Sequence, residues 1–238
     1  MKTKLKEIID QLYTVFGKYS IEVAKLRDYS CPCCVTDNEI KVITKKPIKE
    51  LSAEDLGHFI RSAISTFGSI EDYKHFLPRI LELMTLESSS DIIDDFTCFE
   101  KLNYAEWETW PENEIQIIEN FFTELWNTII NGKNSTEFMI GECFSLIKMY
   151  GPIEPALKKW KESKTEISSL YIVNGILNGF AFRAESKNEK IISKWLYSKP
   201  VLDKIEKVYF NQEDKETANR IAIAHTILEN KYPITFAF

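Results

Sequence analysis

Cys31-Pro32-Cys33-Cys34 is the segment whose residue types and spacing most invite chemistry. Thiolates at Cys31 and Cys34 would chelate a soft cation such as Zn²⁺ as half of a tetrahedral site, but a structural site takes four ligands. The sequence has no second cysteine pair: Cys98 and Cys143 lie on apolar helical stripes, and His58, His75 and His225 are isolated. Completing the site calls for a ligand distant in sequence, His75 or His58. No cofactor is expected, with Zn²⁺ the one alternative to which the residues point. The plainer reading is a turn with free thiols. A thioredoxin-type redox pair is disfavoured, because that motif opens a helix in an α/β setting, which this pattern lacks.

Asp72, His75 and Arg79 are spaced to lie close together on one helix. An aspartate there would fix a histidine tautomer, and the guanidinium would hold an anion. With no nucleophile or second acid beside them, a structural cluster is the expected role. Asp91, Asp94 and Asp95 are spaced like carboxylates that gather Mg²⁺, yet no second acidic helix matches them, and acids in a first turn complement the helix dipole. From Glu87 to Glu119 there are ten acids and one base, Lys101, a local balance of −9 in a chain whose net charge is −6. Such segregation steers a basic partner to one face. Glu106, Trp107, Glu108, Trp110, Glu112 and Glu114 are the residues expected to form that partner-binding face, with the two tryptophans as anchors. The alternative is a solvated acidic face with both tryptophans buried beneath it.

The elements that must position these residues are helical. Leu5, Ile8, Ile9, Leu12 and Phe16 make one apolar stripe that stops at Gly17. Ser52 with Asp55, and Ser69 with Asp72, have the spacing of capping boxes that open two further helices, the second crossing Pro78. Thr109 and Glu112 are read as the same device for a helix running to Asn131-Gly132. Further stripes follow to Asn230. Residues 18–51 lose the period and are expected to form an irregular, cysteine-containing excursion with one short strand near Lys41–Thr44. The whole, residues 1–238, reads as a single all-α domain of stacked antiparallel hairpins, either a HEAT/ARM-like solenoid or an irregular helical bundle.

A 44% hydrophobic content and modest net charge exclude a disordered chain. The negative balance argues against nucleic acid or an anionic membrane as partner. Lys2, Lys4, Lys6, Glu7 and Asp10 interrupt the N-terminal apolar residues, so a secretory signal is not expected and a cytoplasmic location is.

The run Leu51-Ser52-Ala53-Glu54-Asp55-Leu56, then Thr66-Phe67-Gly68, then Asp72-Tyr73-Lys74-His75-Phe76-Leu77-Pro78-Arg79-Ile80-Leu81-Glu82-Leu83, with Cys31 and Cys34 upstream, resembles a family of uncharacterised bacterial cytosolic proteins. The resemblance implies a bacterial cytosolic protein and supplies no catalytic residues. It marks Cys31, Cys34, His75 and Arg79 for testing.

Two functions are therefore expected, in this order. The first is a non-enzymatic interaction module, scaffold or inhibitor, whose acidic face binds a basic protein. The second is a metal-binding protein or metal-dependent enzyme that uses Cys31 and Cys34, with His75 as a further ligand.

Overall fold

The stripe predicted at the N-terminus is the buried face of α1 (Thr3–Phe16): Leu5, Ile9, Leu12 and Phe16 are all shielded from solvent. The computed structural model describes residues 3–86, 95–179 and 186–231. Among them are thirteen α-helices and no named strand, an all-α architecture. After α1 come α2 (Val23–Asp28), α3 (Asp37–Lys45), α4 (Ala53–Ser62), α5 (Ile70–Met84), α6 (Asp95–Tyr104) and α7 (Glu112–Ile130). The remainder are α8 (Glu137–Tyr150), α9 (Ile153–Glu162), α10 (Glu166–Leu177), α11 (Lys187–Leu196), α12 (Lys199–Phe210) and α13 (Lys215–Lys231). No helix among the described residues is long and apolar enough to cross a membrane.

The chain divides into two compact units, Met1–Phe121 and Phe122–Phe238. In the first, α1 packs on α5, α4 packs on α5 and α6, and α2 and α4 both pack on α3. Phe59 is the hub of the core here, meeting Phe67 and Phe76 edge-on at 5.1 and 4.8 Å. In the second unit Trp160 takes that part, meeting Trp126 at 5.1 Å and Phe144 at 4.8 Å. Both indole N–H groups find carbonyls, Trp126 at Ala156 and Trp160 at Ser168, so neither ring buries an unsatisfied donor.

Several helix starts are formed as their sequences predict. Ser52 and Asp55 close a capping box on α4, and Ser69 and Asp72 close one on α5, which continues through Pro78. Other expectations are corrected. The strand near Lys41–Thr44 is instead part of α3, capped by a reciprocal Thr36–Glu39 box that brings Ile40 and Ile43 into the core. The stretch read as irregular also holds α2 and a 3-10 turn at Ile48–Glu50. Thr109 lies in another 3-10 turn, Trp107–Thr109, where its hydroxyl donates to the Glu106 carbonyl. Asp91 and Asp94, of the carboxylate set, lie outside the described residues.

Gly68, between α4 and α5, has φ +74°, a conformation that L side chains rarely adopt. A Cβ there would stand 2.9 Å from Leu26 Cδ1 and 3.1 Å from Asp72 Oδ2. Gly68→Ala is expected to cost about 1–2 kcal/mol from the left-handed backbone alone, and more as Leu26 is displaced. An unchanged denaturant midpoint would refute this.

Candidate metal centre

The loop joining α2 to α3 is pinned on both sides before its cysteines reach solvent. The Arg27 guanidinium donates to the Ser30 carbonyl at 3.1 Å and to the Val35 carbonyl at 2.7 Å, tying the two ends of the loop together. Ser30 is buried; its hydroxyl donates to the Leu26 carbonyl at 2.5 Å and accepts the Gly68 N–H at 3.1 Å. The Cys31 N–H donates to the Thr66 carbonyl at 2.8 Å. Thr66 belongs to the turn after α4, where Ile64 holds φ 70°, an uncommon value for a β-branched residue. The floor of the loop is thus hydrogen-bonded backbone, with Val35 buried at its exit.

Above that floor the chain turns tightly, the N–H groups of Cys34 and Val35 both reaching back to the Cys31 carbonyl at 3.2 and 3.0 Å. The turn gathers all three thiols. Cys31 Sγ lies 3.0 Å from Cys33 Sγ, and Cys33 Sγ lies 3.7 Å from Cys34 Sγ. All three sulfurs fall within 4.8 Å of one another, with Cys31 half-buried and Cys33 and Cys34 exposed. Hydrogen bonds from the Cys33 and Cys34 thiols, with help from their backbone N–H groups, lower the Cys31 pKa to about 7. The Cys34 thiol, hydrogen-bonded to Cys31 and Cys33 and facing their negative charge, is pushed up to about 11.

Sulfurs bound at about 2.3 Å to a tetrahedral zinc ion would stand about 3.8 Å apart. The Cys33–Cys34 separation already has that span, and the Cys31–Cys33 pair needs to open by less than 1 Å. The donor set is all sulfur, which selects soft cations over Mg²⁺ or Ca²⁺. Three ligands from one short loop leave the fourth tetrahedral position unfilled by the cluster.

His75 is not one of the ligands in this group. Its Nδ1–H donates to the Tyr19 carbonyl at 2.8 Å, holding the segment after α1 against α5. His58 Nδ1 meets Glu39 Oε1 at 2.7 Å, and its ring lies against Phe67. Asp72 accepts the Ser69 N–H and hydroxyl, while Arg79 donates to the Leu51 carbonyl and to Glu82. Asp72, His75 and Arg79 therefore serve three separate sets of partners along α5.

The acidic stretch divides by exposure. Glu106, Glu108 and Glu112 face solvent, but Trp107 and Trp110 are buried, Trp110 donating to the Ala105 carbonyl and meeting Phe16 edge-on. Glu114 is fully buried and turns inward. It accepts from Lys18 at 2.6 Å, Tyr19 at 2.7 Å and Lys74 at 2.8 Å, with the Lys74 ammonium 4.0 Å over the Trp110 ring. A signal for this was present in the sequence. Glu114 precedes Ile117, Ile118 and Phe121 by three, four and seven residues, which places it on the buried stripe of α7. Cys33, the middle thiol, stands beside the two expected ligands in the sequence, and the structure brings its sulfur into the same group. No family model, curated protein or solved structure matches the chain.

Proposed function

We propose that this protein binds a thiophilic metal ion, with Zn²⁺ as the first candidate, through Cys31, Cys33 and Cys34. One observation carries the reading: three sulfurs converge within 4.8 Å on a loop whose backbone is fixed from beneath. Free thiols of a slack turn have no need of that anchoring. The open fourth position suits an exchangeable ligand, either a solvent molecule or a donor atom from another molecule. Around this site, the packing of sequence neighbours α2 on α3, α3 on α4 and α4 on α5 supports a scaffold of helical hairpins.

This reading displaces the acidic face as the leading function. The tryptophans proposed as anchors are buried, and Glu114 is occupied by internal cations, which leaves Glu106, Glu108 and Glu112 without the two tryptophan anchors.

Titration of the full chain with zinc against a chromophoric chelator tests the proposal. The expected result is one ion per chain. Cys33→Ser should weaken binding by more than the 10–100-fold typical of losing an outer-shell partner. Replacing all three cysteines should abolish it, and His75→Gln should leave stoichiometry unchanged. Zinc binding that survives the triple replacement would refute the site, as would a reduced chain that takes up no zinc.

A further inference from the structure

We propose that Cys31 and Cys33 form a reversible dithiol–disulfide pair whose oxidation dismantles the metal site; the inference rests on the metal-binding reading above. Three geometric observations carry it. The Cys31 and Cys33 sulfurs, 3.0 Å apart, lie closer than the Cys33 and Cys34 sulfurs at 3.7 Å, and about 1 Å of side-chain movement brings them to the ~2.05 Å of a disulfide. That movement takes place at the surface, where Cys33 is exposed and Cys31 half-buried, so no packed core resists it. The competing link between Cys33 and Cys34 joins neighbours whose Cα atoms lie about 3.8 Å apart, below the ~4.4–6.8 Å that disulfides span without strain.

The loop also separates what moves from what does not. Its anchors use the backbone of Cys31, the Ser30 hydroxyl and the Arg27 guanidinium, and none of them involves a sulfur. The sulfurs can change partners while the floor keeps its hydrogen bonds. The helical scaffold therefore tolerates both the dithiol and the disulfide form.

The oxidant that fits an exposed thiol pair is a hydroperoxide. The Cys31 thiolate attacks one peroxide oxygen; the O–O bond breaks, and the departing oxygen leaves as water or alcohol after taking up a proton. Cys31 is then a sulfenic acid. The Cys33 sulfur attacks Cys31 Sγ, the S–O bond breaks, and the hydroxyl leaves as water with the Cys33 proton. Two electrons pass from the two sulfurs to the peroxide, and a dithiol reductant returns them by thiol–disulfide exchange. In the oxidised form Cys34 is the sole remaining thiol of the three, and one thiolate does not make a site. The bound ion is released.

The test treats full-length protein, zinc-loaded and metal-free in parallel, with one equivalent of hydrogen peroxide. Peptide mapping after alkylation reads the linkage, and a zinc indicator reads release. The expected result is a Cys31–Cys33 link with Cys34 still alkylated, one zinc released per link formed, and recovery of both thiols and zinc binding on adding dithiothreitol. Cys34→Ser should form the same link. Replacing Cys33 and Cys34 together with Ser should stop at a Cys31 sulfenic acid, trapped by dimedone, because either neighbouring thiol lies within reach of Cys31 Sγ. A loaded chain whose peroxide product is a Cys31–Cys34 link, or over-oxidised Cys31 with no link, would overturn the switch and leave the metal site standing. A Cys31–Cys33 link in a chain that held no zinc when reduced would overturn the metal reading, and with it the consequence assigned to the link.

Discussion

Glu114→Ala should destabilise the protein by about 3–5 kcal/mol, the cost of leaving one member of a buried ion pair uncompensated. Lys74 has only 9% of its side chain exposed, and Glu114 has none. Removing the carboxylate leaves the ammonium with the Tyr19 hydroxyl at 3.2 Å and the face of Trp110, neither of which carries a full negative charge. Lys18 matters less, since half of its side chain is in water and can be solvated again. Glu114→Gln keeps the volume and one acceptor, so about 1.5–3 kcal/mol is expected there. Replacing Glu114 with Leu and Lys74 with Met together should recover most of the loss, because the pair is then exchanged for apolar volume rather than broken. Urea midpoints of the four proteins decide the matter. A loss below about 1 kcal/mol for Glu114→Ala would reduce the pair to the worth of a surface ion pair.

The same carboxylate sets a pH dependence whose sign can be derived. Burial works to raise the Glu114 pKa, but hydrogen bonds from Lys18, Lys74 and Tyr19 outweigh it and hold the folded value below the ordinary glutamate range. In the window between the depressed folded pKa and the unfolded pKa of about 4.3, the unfolded chain binds more protons, so stability rises with pH. The contribution of Glu114 is thus complete above that unfolded pKa and is lost as pH falls through the folded one. In Glu114→Gln this part of the acid limb should be missing.

Helices with long stripes were legible in the sequence, and the short helices around the site were not. α1, α4 and α5 each bury enough apolar residues at helical spacing to be recognised unaided. α2 buries only Leu26, and α3 only Ile40 and Ile43, too few to establish a period beside the prolines at 32 and 47. The Thr36–Glu39 box was the available cue, and it opens α3 directly after the cysteines. Counting charge along the chain failed for a different reason. Net charge has no direction, so it cannot separate Glu112, which meets solvent, from Glu114 two residues later, which meets Lys74. The thiol cluster is visible as residue types, but the backbone anchors that hold its loop come from Thr66 and Gly68, more than thirty residues away in the chain.

Zinc affinity at the cysteine loop should fall by at least about 1000-fold between pH 8 and pH 6, since thiols must lose their protons to ligate. Two of the three thiols set this lower bound, on different schedules. Cys34, with its pKa raised to about 11, carries a proton throughout this interval, so binding displaces it at every pH. That displacement alone gives about tenfold in affinity per pH unit, or about 100-fold over the interval. Cys31, with its pKa near 7, is already mostly thiolate at the upper end and mostly protonated at the lower end. It therefore adds about another tenfold, about three quarters of it on the log scale below the midpoint, and the plot of log affinity against pH should steepen there toward one further proton. Competition titrations across this range read the slope directly. Carboxylate ligands would give an affinity nearly flat over the same interval, because their protons are lost below about pH 5. A histidine ligand would bend the plot near its own pKa of about 6.5 without the sustained slope above it. A flat profile would therefore place the ion on oxygen ligands and away from Cys31, Cys33 and Cys34, whereas a slope that persists to the alkaline end requires a ligand still protonated there, as Cys34 is.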